Sequence, residues 1–132
     1  MGPGVSCNLG AVSIQDRISS FQDDLNTTSR SNLYKNFHPT ETIEYDALKN
    51  PAAITGFTTL FPLPSPNYSL SIIDDNNTSA VHVQVVAGPS GGTYNPSAFY
   101  LELKMDTTSG NDNRIVTLSA SNTNGGYTLY LQ

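Results

Sequence analysis

Few side chains in this sequence invite chemistry by their type: His38, His82, Cys7, and the polar groups Tyr34, Tyr45 and Asp46. An imidazole can take or give a proton near neutrality, so each histidine is a candidate general base. His38 stands before Pro39, where the ring also suits capping of the last carbonyls of a helix. His82 falls in an alternating run that predicts a strand, where a surface or interface role competes with any role as a ligand. With the histidines 44 residues apart and one cysteine near the start, the pattern of a transition-metal site is missing. Asp74-Asp75-Asn76-Asn77 and Asp106…Asn111-Asp112-Asn113 have the acids of a calcium loop without its central glycine and distal glutamate, and read as turns. Gly88-Pro89-Ser90-Gly91-Gly92 lacks the lysine and following helix of a phosphate cradle, and no serine sits in a nucleophile elbow. No metal and no cofactor is expected.

Chemistry of this kind needs a scaffold, and 132 residues suffice for one domain with its own core. A net charge of -5, with only 6 scattered Lys and Arg, argues against a nucleic-acid partner. Only 13% of residues are charged, about half the usual share, and serine, threonine and asparagine replace them. That composition fits an extracytoplasmic setting, secreted or in the cell envelope. No run of 18 apolar residues predicts a transmembrane segment. Val5-Ser6-Cys7-Asn8 has the form of a lipoprotein processing site, which makes Cys7 a candidate for lipidation; the alternative is an ordinary thiol in a frayed tail. The single cysteine excludes an internal disulfide. The four Asn-x-Ser/Thr sequons are an ordinary by-product of a composition so rich in asparagine and threonine.

The apolar period changes near Pro62–Pro66, and this is the strongest signal in the chain. Residues 1–12 read as a disordered tail and 13–132 as one domain. Ser13 and Asp16 open a helix whose apolar face is Ile14, Ile18, Phe21 and Leu25. Helical spacing resumes at Leu33, Tyr34 and Phe37 and ends at His38-Pro39. A short helix or an edge strand is expected around Ile43–Leu48. Asn50-Pro51 then has the form of an N-cap with proline at the first helical position, followed by Ile54, Phe57 and Phe61. Beyond the prolines, apolar residues alternate in Tyr68–Ile73, Ala80–Ala87, Phe99–Met105, Arg114–Ala120 and Tyr127–Leu131. The predicted class is α+β: N-terminal helices on one face of a curved antiparallel sheet of four to five strands.

Alternation assigns the faces. Val81, Val83, Val85, Phe99, Leu101, Leu103, Met105, Val116 and Leu118 are expected beneath the helices, with Leu129 and Leu131 extending that face. His82, Gln84, Tyr100, Glu102 and Tyr130 fall on the other face, which reads as a dimer surface because tyrosine combines a large apolar ring with a polar tip.

Leu33-Tyr34-Lys35-Asn36-Phe37-His38-Pro39 resembles the end of the first long helix in NTF2-like (cystatin-like α+β cone) proteins, and Asn50-Pro51-Ala52-Ala53-Ile54-Thr55-Gly56-Phe57 resembles their third helix. The four long strands match in number and order, and only Ile43–Tyr45 could supply the strand this family places between its second and third helices. The resemblance implies a pocket at the wide end of the cone, lined here by Phe21, Tyr34, Phe37, Tyr45, Phe57 and Phe61, any of which could equally be core. It favours a non-catalytic domain that binds a small apolar ligand or a protein partner and pairs as a homodimer through the sheet. Two alternatives stand beside it. One is a cofactor-independent isomerase or dehydratase of the ketosteroid-isomerase type using Tyr34, His38, Tyr45 or Asp46; the other is a structural or adhesion module.

Overall fold

Helix α1 (Ile14–Leu25) starts where the Ser13 hydroxyl accepts the Asp16 N–H at 3.0 Å, satisfying one of the donors that a helix start leaves open. Ile18, Phe21 and Leu25 are buried along one stripe, as their spacing predicts, and Arg17 is buried beside them. The computed structural model describes residues 12–62, 67–74, 80–87, 98–108, 110, 112–123 and 125–132. The tail to residue 11 with Cys7, the Asp75–Asn77 turn and the Gly88–Gly92 loop lie outside the described residues.

Between α1 and the sheet the chain is less helical than its spacing suggests. Leu33–Asn36 forms only a single 3₁₀ turn. Phe37 leaves it in an extended conformation and makes a parallel bridge with Ile115, which draws the segment into the sheet instead of prolonging the helix. Ile43–Tyr45 is a turn with Ile43 77% exposed, followed by a 3₁₀ turn at Ala47–Lys49 that buries Leu48. Asn50 makes no side-chain capping bond; Pro51–Ala53 is another 3₁₀ turn, and helix α2 (Thr55–Leu60) begins only after Ile54. No described helix is long and apolar enough to cross a membrane.

Five strands follow: β1 (Tyr68–Asp74), β2 (Ala80–Ala87), β3 (Phe99–Asp106), β4 (Arg114–Ser121) and β5 (Thr128–Leu131). They pair as an antiparallel meander in the order β1-β2-β3-β4-β5, so the α+β class read from the sequence is the class observed. Cross-strand rows alternate between faces. Leu70–Val85–Phe99, Ile72–Val83–Leu101–Ala120 and Val81–Leu103–Leu118–Leu131 face the helices. Ser71–Gln84–Tyr100–Ser121 and Asp74–His82–Glu102–Ser119–Leu129 face away.

Three bulges correct the face assignments. In β4, Lys104 pairs with Thr117 but Met105 with Ile115, so Val116 is the extra residue and the fully buried side chain is Ile115. In β5, Leu118 pairs with Leu131 and Ser119 with Leu129; Tyr130 is extra, and Leu129 turns outward, 47% exposed. Tyr130 therefore does not join the outer row. It packs against the core, and a Cβ placed on Gly56 of α2 would sit 3.6 Å from its ring. In β1, Ile73 is extra, which carries Asp74 outward to pair with His82.

The β1 edge is covered by side chains. Gln22 and Asn26, one turn apart on α1, act as a surrogate strand for β1: Gln22 accepts the Leu70 N–H at 2.9 Å, while Asn26 accepts the Tyr68 N–H at 2.7 Å and donates to the Tyr68 carbonyl at 3.0 Å. At the other edge the Glu44 N–H donates to the Gln132 carbonyl at 2.6 Å. The β1 edge, satisfied in this way, offers less backbone to an incoming strand.

Candidate functional site

The four phenylalanines expected around a pocket are Phe21, Phe37, Phe57 and Phe61, all fully buried. They meet one another: Phe21 packs edge-on to Phe37 at 5.9 Å and to Phe61 at 6.4 Å, and Phe57 lies 5.2 Å from Phe61. Phe61 also touches the rings of Tyr68 at 5.2 Å and Phe99 at 5.7 Å. Tyr34 and Tyr45 are half-buried at the margin and pack against this core. Among the described residues the buried polar side chains are Arg17, Arg30, Asn36 and Thr42, with no carboxylate or imidazole among them.

The two arginines stitch the layers together. Arg17 donates to Asn36 at 3.0 Å and, through two nitrogens, to the Asp112 carbonyl at 3.3 and 3.1 Å. Burial, with Arg114 nearby, lowers its pKa. Asn36 passes the network on to the Asp24 carboxylate at 2.8 Å. Arg30, 1% exposed, donates to the Leu25 carbonyl at 2.8 Å and the Phe61 carbonyl at 2.6 Å, over the face of Phe57.

The histidines stand in two separate clusters. His38 follows the Phe37 bridge, and its backbone N–H donates to the Ile115 carbonyl, which also accepts the Thr42 hydroxyl. Its Nδ1 accepts the N–H groups of Thr40 at 3.2 Å and Glu41 at 3.0 Å. It thus caps the following turn as an N-cap side chain does, and not the carbonyls of a preceding helix. Those donors assign the ring proton to Nε2, which lies 3.3 Å from both Glu41 and Asp106. His38, Glu41 and Asp106 bring their ligand-type atoms within 4.8 Å of one another. A metal ion would need the Nε2 lone pair and so a proton on Nδ1, the tautomer that the two backbone donors oppose. The same donors engage the one Nδ1 lone pair that a general base would use. The cluster is a clasp between the 38–42 turn and the end of β3.

The two carboxylates, side by side at Nε2, are shifted in opposite directions. The hydrogen bond from Glu41, then those from Thr108, hold Asp106 down to about 2. The same bond with Asp106, then burial, raises Glu41. Asp106 therefore adds stability above its unfolded value of 3.8 that is lost as pH falls through about 2. Glu41 adds stability below 4.5 that is lost as pH rises through its raised value. The Asp106→Asn variant is expected to show a shallower fall of the urea midpoint than the parent between pH 3.8 and about 2; equal slopes would dismiss the clasp.

His82 lies on the outer face, where the interface candidates gather. Its Nε2 is 2.9 Å from Glu102 and its Nδ1 3.5 Å from Asp74, which is present only because of the β1 bulge. Tyr127, just before β5, lays its ring on His82 at 5.3 Å with planes 15° apart. Burial, followed by Glu102 and Tyr100, raises the Tyr127 phenol pKa. Gln84 and Tyr100 are paired in the adjacent row. His82, Gln84, Tyr100 and Glu102 thus share one surface, joined by Asp74 and Tyr127 and without Tyr130.

The sequence reading missed Glu41, Asp106, Asp74 and Tyr127 as partners. His38-Pro39-Thr40-Glu41 follows the S/T-x-x-E capping-box spacing with histidine in the first place, and that was a usable signal for Glu41. No family model matches this chain, and no curated protein or solved structure matches it either.

Proposed function

We propose that this chain is a non-catalytic binding domain that acts through the outer face of its sheet, meeting a second copy of itself. The observation that carries the reading is the row Asp74–His82–Glu102 with Tyr127 laid across it and Tyr100 alongside. These aromatic and charged groups sit half-exposed on the outer face, while the described interior holds phenylalanines that pack on one another. Acid–base catalysis in an apolar pocket needs a titratable group inside it. The described interior offers arginines, an asparagine, a threonine and the Tyr68 phenol, which donates to the Pro62 carbonyl, and neither a carboxylate nor an imidazole. The face is also self-complementary in charge: Lys104 stands beside the Asp74 and Glu102 row, so a two-fold axis could set cation against carboxylate.

The NTF2-like label, an extracytoplasmic setting and an anchor at Cys7 belong to the same proposal. They are supported by the helix-first order, the low charge and the processing-site pattern.

Sedimentation equilibrium tests the reading. The parent chain is expected to dimerise, and Tyr100→Arg, which removes an aromatic ring and brings a cation from each copy into the contact, is expected to weaken the dimer by roughly thirtyfold or more, as loss of a hot-spot aromatic does. A parent chain that stays monomeric at every accessible concentration, or a variant that dimerises equally well, would remove the reading.

A further inference from the structure

Tyr34, in the Leu33–Asn36 turn, and Tyr45, just before the Ala47–Lys49 turn, meet at a right angle, with ring centroids 5.6 Å apart and planes 82° apart. The Lys49 ammonium stands over both rings, 5.4 Å from the Tyr34 centroid and 5.5 Å from that of Tyr45. Asp46 places a carboxylate oxygen 3.3 Å from the same nitrogen. Two π faces and one carboxylate therefore surround a single point, and a cation already occupies it. The walls are firm, because both tyrosines pack against the core. The occupant is not: the Lys49 side chain is 52% exposed and that of Asp46 is 91% exposed.

We propose that the Tyr34–Tyr45 corner is a binding site for small trimethylammonium ligands, with Lys49 as an internal occupant that such a ligand displaces. A lysine ammonium is compact and strongly hydrated, so it gains little by leaving water for aromatic faces. A trimethylammonium group carries the same charge, holds its water less tightly and offers methyl groups to both rings, which is why aromatic corners select it. Lys49 surrenders only an exposed ion pair and an exposed cation–π contact when it swings away. The corner lies between α1 and α2, so the inference is independent of the outer sheet face and survives if that reading fails.

The test is a titration of the full chain with choline chloride, followed through the tyrosine ring resonances, with sodium chloride at equal ionic strength as control. Saturable shifts confined to Tyr34 and Tyr45 are expected. Lys49→Gln is expected to tighten binding by roughly three- to fivefold, the equivalent of roughly 0.5–1 kcal/mol of exposed cation–π contact. Tyr45→Leu keeps apolar volume but removes one π face, and is expected to lose saturation while its core methyl spectrum stays dispersed; Tyr45→Phe is expected to bind as the parent does. Phosphatidylcholine vesicles then distinguish a lipid headgroup, which would carry the chain into the pellet, from a free ligand, which would not. Shifts no larger than those with sodium chloride in both the parent and Lys49→Gln would overturn the proposal, as would undiminished binding by Tyr45→Leu.

Discussion

Replacing Arg30 by methionine is expected to lower unfolding stability by about 2–4 kcal/mol, a large share of the roughly 5–15 kcal/mol that holds a domain of this size. Arg30 ties the end of α1, through the Leu25 carbonyl, to the residue that follows α2, through the Phe61 carbonyl. Each charge-assisted bond is worth about 1.5–3 kcal/mol, and each buried carbonyl left without a donor has a cost of its own. Relief from burying a guanidinium works in the other direction and brings the net loss below the sum. A graded series separates these effects. Lysine keeps the charge but lacks the planar fork, so it can serve one carbonyl well and should lose least. Methionine keeps volume without donors. Alanine leaves a cavity as well and should lose most. Urea midpoints measured at fixed pH, with an unchanged slope, give the order Lys, Met, Ala. A methionine variant as stable as the parent would show that the two carbonyls find other donors and that Arg30 does not hold the helices together.

Arg30 also shows why part of this molecule was hidden in its sequence. It sits in Asn26–Ser31, a stretch without periodicity, and nothing local marks a residue there as buried. Its backbone takes a positive φ of 50°, five residues beyond the end of α1. Burial of this kind is decided by distant carbonyls, and no spacing rule reports those.

The sheet was legible for a different reason. Where β2 and β3 are regular, strict alternation placed Val81, Val83, Val85, Leu101 and Leu103 in the core without error. It failed at the bulges, because one extra residue reverses the parity of everything beyond it. Val116 and Leu129 were assigned inward for that reason alone, and Asp74 could not be foreseen as a partner of His82. The half of the candidate surface that lies on unbulged strands was therefore readable: His82, Gln84, Tyr100 and Glu102. Asp74 depends on a bulge and Tyr127 on a turn, and neither leaves a periodic trace.

Phe61→Ala is expected to cost about 3–5 kcal/mol, since its ring touches those of Phe21, Phe57, Tyr68 and Phe99 and removing it leaves a cavity that packed neighbours fill only in part. Combined with Arg30→Met, the loss should fall short of the sum, because Arg30 lies over Phe57 and bonds the Phe61 carbonyl, so both substitutions loosen one junction. The same variant bears on function. If the phenylalanines fill the interior, benzene should leave the parent's melting temperature unchanged and raise that of Phe61→Ala, because an apolar cavity of this kind stays dry and takes up small aromatic molecules. If benzene instead stabilises the parent, the interior already has room for an apolar guest. The six aromatic residues Phe21, Tyr34, Phe37, Tyr45, Phe57 and Phe61 would then line a pocket, and the role given to the outer sheet face would pass to the space between helices and sheet.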